Sequence, residues 1–279
     1  MQFTSRGICL TILLYTYGMS WASRRRFLYI FGFLLVVGSV TIIPLWIYLY
    51  KPGDCFDGKQ NNAEVSVDKG GDCRLLDQRA LLPPTVVWTR AMAVRLPGQE
   101  QGTYSAVAYV ENPNVNAGVM EAPYRFALYD DKNVLVAEVE GSTYVMPGTV
   151  TPVFEGGINT GHRKAARAYF EFTAPLVWQR LYDATEPITI PTKEVVNADK
   201  EPRLNAVIKN GSVVDLRQTQ FVAIIFDTAG NAFAGSATEV QFLERGKQQD
   251  VVFTWPDPFQ YLPGRIDVLP VLKPLLEPR

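Results

Sequence analysis

The chain has 279 residues, a formal net charge of −1, 47% hydrophobic and 20% charged residues, which is long enough for two domains and a tail. It carries no basic excess for a phosphate backbone, so nucleic acid is not expected as a partner. One histidine excludes zinc sites that need two, and three scattered cysteines cannot build a four-thiolate site.

The first fifty residues set the compartment. Phe27 to Tyr50 is an uncharged run of 24 residues, which as an α-helix spans about 36 Å and crosses a hydrocarbon core of about 30 Å. Trp46, Tyr48 and Tyr50 gather at its far end, where amphipathic rings favour the interface. Arg24, Arg25 and Arg26 precede it, while Lys51, Asp54 and Asp57 come after it. The positive-inside rule then keeps residues 1–26 cytoplasmic, makes 27–50 the single membrane pass and exports everything after Lys51. A cleavable signal peptide would have a shorter apolar stretch and a small-x-small site, neither of which is present, so a retained signal anchor is expected. Ile8–Ser23 is also uncharged, but it is short and broken by Gly18. Its insertion would make a hairpin, whereas a start at Met19 would leave a complete anchor. Cys9 is assigned no role.

A cysteine-bounded stalk is expected at 51–80. Two cysteines in an exported segment are expected to pair, and a Cys55–Cys73 bridge would stabilise by about 3 kcal/mol through loop closure. Between them, Asp57, Asn61, Glu64 and Asp68 offer oxygen ligands and Gly58, Gly70 and Gly71 permit tight turns, the chemistry of a calcium loop without EF-hand spacing. The competing reading is a polar stapled segment holding no ion, favoured by the lysine within the loop. These residues resemble a short motif of exported bacterial proteins, Cys-x-Asp-Gly, Asn, Glu, then Asp-Cys-Gly-Gly-x-Cys. The match runs through Cys55, Asp57, Gly58, Asn61, Glu64, Asp68, Gly70, Gly71 and Cys73 and departs at Lys69.

Beyond Leu75 the chain alternates apolar residues in short runs punctuated by Asn, Pro, Gly and Asp, which predicts an all-β region. Strands are expected around Tyr104–Val110, Phe126–Tyr129, Val134–Val139, Val150–Phe154 and Ala165–Phe172, with turns at Glu111–Asn114 and Asp130–Asn133. The pattern returns a little under a hundred residues later: Ala206–Asn210 echoes Ala108–Asn112, Phe221–Asp227 echoes Phe126–Asp130, and Val251–Phe253 echoes Pro152–Phe154. Repeats of this length are whole domains, placed at 81–192 and 193–279 with a polar linker near Pro191–Pro202. Phe126-Ala127-Leu128-Tyr129-Asp130, with Val110–Pro113, Glu138 and Gly141, resembles the signature of FxLYD domains. That resemblance implies tandem extracellular immunoglobulin-like β-sandwiches, with Phe126 and Leu128 in the core, Tyr129 on the other face and Asp130 capping a turn. The second repeat has lost the signature itself.

Catalytic constellations are sparse. His162 lies in a glycine-containing turn with no nucleophile elbow, and Glu155, Glu171 and Glu186 are candidates for paired carboxylates only if folding brings them together. Trp88, Trp178 and Trp255 are expected to fill cores. Phe253–Phe259 carries two prolines that interrupt pairing, so Trp255 and Phe259 are expected to form a partly exposed recognition patch. Asn210-Gly211-Ser212 is a formal glycosylation sequon that also reads as a hairpin turn. The sequence therefore points to a non-enzymatic, membrane-anchored surface protein that binds or scaffolds an envelope or surface protein. No cofactor is expected beyond the calcium considered at the loop. The alternatives are an envelope hydrolase with an inter-domain carboxylate site and a passive spacer.

Overall fold

The computed structural model describes residues 20–49, 53–61, 63–94, 102–182, 188–273 and 275–276. The readings placed on Ile8–Gly18, Cys9, Met19, Tyr50 and Lys51 fall outside them. Helix α1, Trp21–Leu49, is 29 residues long with Pro44 inside it. It starts before the arginines, so Arg24–Arg26 form part of its first turns, with the Arg25 guanidinium 4.7 Å from the Trp21 ring centroid. Trp21–Trp46 is long and apolar enough to cross a membrane. Two of its hydroxyls are satisfied within the helix, Ser39 Oγ donating to the Val36 carbonyl at 2.9 Å and Thr41 Oγ1 to that of Val37 at 2.8 Å.

Residues from Cys55 onward form a separate, all-β body of two antiparallel sandwiches. In the first, β1 (Thr85–Val94), β2 (Thr103–Glu111) and β5 (Val150–Asn159) make one sheet in the order β1-β2-β5. Facing it, β3 (Ala117–Tyr129) lies between β4 (Leu135–Val145) on one side and β6 (Arg167–Phe172) and β7 (Trp178–Tyr182) on the other. The second sandwich repeats the plan. Strands β8 (Ile188–Val196), β9 (Arg203–Asn210) and β12 (Gln248–Thr254) pair as β12-β9-β8. Opposite them, β10 (Leu216–Phe226), β11 (Ala232–Leu243) and β13 (Arg265–Val271) pair as β11-β10-β13. A last short strand, β14 (Leu275–Leu276), returns to pair with β7.

Why these residues make this repeat is visible at two polar positions. Asp130 Oδ1 accepts from the backbone of Lys132 and Val134 at 2.9 and 2.8 Å, and Asp227 Oδ1 accepts from Ala229 and Asn231 at the same distances, so each carboxylate closes the hairpin after its long strand. Asn112 and Asn210 are fully enclosed. Asn112 Nδ2 donates to the Ala117 and Met146 carbonyls, and Asn210 Nδ2 to those of Val214 and Leu243. Each ties the turn after the second strand of its sandwich to the neighbouring strands. The Asn210 sequon is no hairpin, since β9 and β10 on either side of it lie in different sheets, and its amide nitrogen, buried and doubly bonded, is withheld from attack on a sugar donor in the folded body.

The alternation expected at Phe126–Tyr129 holds. Phe126 and Leu128 are buried with Tyr124 and Phe170, while Tyr129 meets the Tyr169 ring on the outer face at 5.4 Å. Gly141 lies opposite Tyr124, and an added Cβ there would sit 2.5 Å from the phenol oxygen. Two details differ from the sequence reading. Val251 pairs with Ala206 as Val153 pairs with Ala108, so Val251 is the counterpart of Val153 rather than Pro152. That one-residue slip reverses faces, which is why Phe253 enters the core while Phe154 lies on the opposite side of its sheet. Pro191, expected in a linker, lies inside edge strand β8 at a break in register between Thr189 and Thr192, where a missing N–H is tolerated; β8 therefore runs across the expected boundary at 192.

The larger departure from beads on a string is a core between the sandwiches. Sheet β1-β2-β5 packs its outer face on that of β11-β10-β13, bringing Trp88, Met92, Val107 and Tyr109 against Val222, Ile224 and Phe226. Strands β2 and β10 are consequently buried on both faces. The Trp88 ring lies 4.5 Å from Tyr109 and 6.0 Å from Phe226. Tyr109 Oη donates to Asp267 at 3.1 Å, and Arg90 donates to the Ala232 carbonyl at 2.8 Å. At Gly235 the sheets approach so closely that an added Cβ would meet Phe154 and Val107 at 3.3 Å.

Ile224→Ala is expected to destabilise by about 2–5 kcal/mol, with urea unfolding still a single transition because both sandwiches share that core. Two separated transitions in the parent chain would contradict it. Alkaline pH is a second probe. Burial, then the nearby Asp267 carboxylate, push the Tyr109 phenol well above its ordinary 10.0; burial and Glu155 do the same to Tyr124. The folded state thus holds protons that the unfolded chain releases, so this stability is complete below pH 10 and declines above it. Tyr109→Phe should flatten the decline in chemical denaturation measured on either side of that pH.

Candidate functional site

Cys55 and Cys73 are bridged. Within the loop, Asp57 accepts from the Lys59 backbone and Asn61 Nδ2, both at 2.8 Å, and Asp68 accepts from the Gly58 backbone at 3.1 Å. Glu64 is buried, its Oε2 receiving the backbone N–H groups of Asn61 and Asp68 at 3.3 and 3.1 Å. The four expected calcium ligands therefore lie in one hydrogen-bonded unit, in which Asp57, Glu64 and Asp68 each accept from the loop's own backbone and Asn61 donates its Nδ2 to Asp57. Among the described residues, the only three His, Cys, Asp or Glu ligand atoms within 4.8 Å of one another are those of Cys55, Glu64 and Cys73, and two of these are bridged sulfurs rather than the hard oxygens calcium takes. The Asn61 Oδ1 atom is buried and accepts no hydrogen bond.

This loop is fastened to the first sandwich. Leu76 N–H donates to the Trp178 carbonyl, Arg180 N–H to that of Arg74, and the Arg180 guanidinium to that of Gly71 at 2.7 Å. Trp178, 3% exposed, packs with Leu76 and Leu81 beneath it. The expected stalk is thus an extra edge on β7 from residue 74 to 76. Sequence reasoning missed Arg180 and Gln179 because their partners lie over a hundred positions away.

A second place is an aromatic cleft of about 150 Å³ in the second sandwich and the end of β1. The segment after β12 is pinned by Trp255 N–H to the Pro202 carbonyl and Phe259 N–H to that of Ala198. The patch expected from Trp255 and Phe259 is rearranged. Trp255 is buried and its Nε1 donates to the Gly235 carbonyl at 3.0 Å; Phe259 is half-buried against it, rings 5.1 Å apart. Phe259 and Tyr261 both stack edgewise on Phe233, at 5.3 and 5.5 Å. Tyr261, which the sequence reading did not single out, lines the cleft and is 55% accessible.

The expected carboxylates are held by separate partners: Glu155 by the Tyr124 phenol and Glu171 by Arg125, while Glu186 falls outside the described residues. His162 is exposed. Among the described residues, the carboxyls with displaced acidities are Asp77, through the Arg79 guanidinium, and Asp227, through the Asn231 backbone, both held below the usual range. Both are turn caps.

No protein-family model and no curated protein matches the chain. Among solved structures, a red sea bream transglutaminase is 12% identical with a TM-score of 0.20, over 67% of this chain and 29% of that one. This chain thus spans under a third of that protein. An oxalate decarboxylase is 8% identical with a TM-score of 0.14, over 68% of this chain and 80% of the other. Neither likeness bears on function.

Removing the buried carboxylate tests the loop's construction. Glu64→Ala leaves two backbone donors unsatisfied and should speed reduction of the Cys55–Cys73 bridge by dithiothreitol several-fold, read by thiol alkylation. An unchanged rate would show that the loop does not depend on Glu64.

Proposed function

We propose that this chain is a single-pass membrane protein with its N-terminus cytoplasmic, whose β body lies outside the cell and works by non-enzymatic binding. The observation that carries this reading is the Cys55–Cys73 bridge, which follows in the sequence an apolar helix of membrane-spanning length. A bridge of this kind persists in an oxidising compartment, and Arg24–Arg26 ahead of the apolar run favour the orientation that exports the chain beyond it. The two sandwiches are read as FxLYD-like immunoglobulin modules. That reading is supported by Phe126 and Leu128 in the core, Tyr129 on the opposite face and the Asp130 turn repeated at Asp227. Binding is placed at the cleft beside Tyr261, where large apolar side chains stand in water.

Alkaline phosphatase, active only after export, and a cytosol-restricted fluorescent protein are the two reporters to fuse after Arg279. The expected result is phosphatase activity without fluorescence. Fluorescence without phosphatase activity would overturn the orientation and, with it, the surface role.

A further inference from the structure

We propose that the turn between β5 and β6, with the adjoining turn between β3 and β4, is a basic platform that binds an anionic polymer carrying repeated phosphate groups. This gives the binding role proposed above a partner of stated chemistry, and rests on it for the polymer's place outside the cell. The whole chain has a net charge of −1, yet no Asp or Glu occurs between Glu155 and Glu171, a stretch that carries Arg163, Lys164 and Arg167. All three are exposed, as is Lys132 in the other turn. The two turns are joined. Ala166 N–H donates to the Tyr129 carbonyl at 2.7 Å, and the Arg167 guanidinium to Asn133 Oδ1 at 2.6 Å. Among the described residues no carboxylate pairs with any of these four cations, whereas Arg125 on the same sheet is held by Glu138 and Glu171. The acids of the platform are Asp130, whose Oδ1 closes its own turn, and Asp131, so positive charge is left in excess.

These cations stand on a fixed backbone. The N–H of buried Thr160 donates to the Gly102 carbonyl at 2.6 Å, its Oγ1 to the Arg163 carbonyl at 2.6 Å, and Gly161 N–H to Asn159 Oδ1 at 2.7 Å. Gly102 lies so close that an added Cβ would overlap the Gly161 carbonyl. The turn is thus held before a ligand arrives, and binding costs little ordering. An arginine fork matches phosphate oxygens, and neighbouring cations engage successive groups of one polymer. Register fixes the platform's place. Val94, which lines the cleft, is opposite Thr103, and Thr103 is opposite Asn159, so the platform begins about 10 Å across one sheet from the cleft. The 13-residue strand β3, about 40 Å long, runs from the platform at Tyr129 to the stapled loop's attachment near Ala117. The platform is therefore at the end of the first sandwich remote from that loop, which favours a polymer over lipid head groups.

The test is calorimetric titration of long-chain polyphosphate into the full chain in zwitterionic nanodiscs. Saturable binding at low salt that weakens as salt is raised is expected. Arg163→Gln with Lys164→Gln should weaken it about tenfold. Lys209→Gln with Lys247→Gln, the same charge change at exposed sites elsewhere in the β body, should leave it unchanged. An unaltered urea midpoint in both double variants is the check on folding. No binding, or equal weakening by the two double variants, overturns the proposal. Equal affinity for polygalacturonate, which has carboxylates and no phosphate, overturns it as well. Tighter binding to protein-free phosphatidylglycerol vesicles than to polyphosphate makes a membrane the partner and overturns it too. A flat titration beside an exported, active phosphatase sinks this inference alone, so the two readings fail separately.

Discussion

The body depends on one packing event, the burial of sheet β1-β2-β5 against sheet β11-β10-β13. Strands β2 and β10 each contribute one face to their own sandwich and the other to this shared layer, so neither sandwich presents a complete, water-compatible exterior by itself. Removing the contact would expose Val107, Val222, Ile224 and Phe226, now buried, to water. The polar ties Tyr109–Asp267 and Arg90–Ala232 sit around this layer, where they fix its register rather than drive its formation.

Around that layer the two halves are stitched by the same small devices. A buried asparagine holds the turn after the second strand, and an aspartate closes the hairpin after the third. Each answers backbone donors or acceptors that no ladder reaches, in places where an apolar side chain would leave them orphaned. The halves differ in which aromatic residues fill their cores: Tyr124, Phe126 and Phe170 in the first, Phe221, Phe253 and Trp255 in the second.

The share of this legible in the sequence is set by the range of each signal. The apolar helix, the β class, the repeat and the Asp130 turn all rest on patterns within a few residues, and these emerged. The run Phe221–Phe226 held more than was taken from it: six consecutive apolar residues with no alternation mark a strand covered on both faces, and that is the shared layer. The attachment of the loop to β7 was not readable, since it is fixed by a partner in a distant segment, whereas core filling by Trp255 was expected and is what the structure has. Of the candidate site, Trp255 and Phe259 were found because prolines break pairing locally. Tyr261 and Phe233 were not, because only tertiary contact brings them to the same hollow.

The short strand β7 has a mechanical consequence. Residues 74–76 pair along it on the way into the first sandwich, and Leu275–Leu276 pair along it on the way out of the second. Tension applied between a point ahead of Cys55 and Leu276 therefore reaches β7 first, at two successive stretches of the edge opposite β3. The second sandwich lies off the line of force as long as that edge holds, shielded as a closed loop is shielded by its knot.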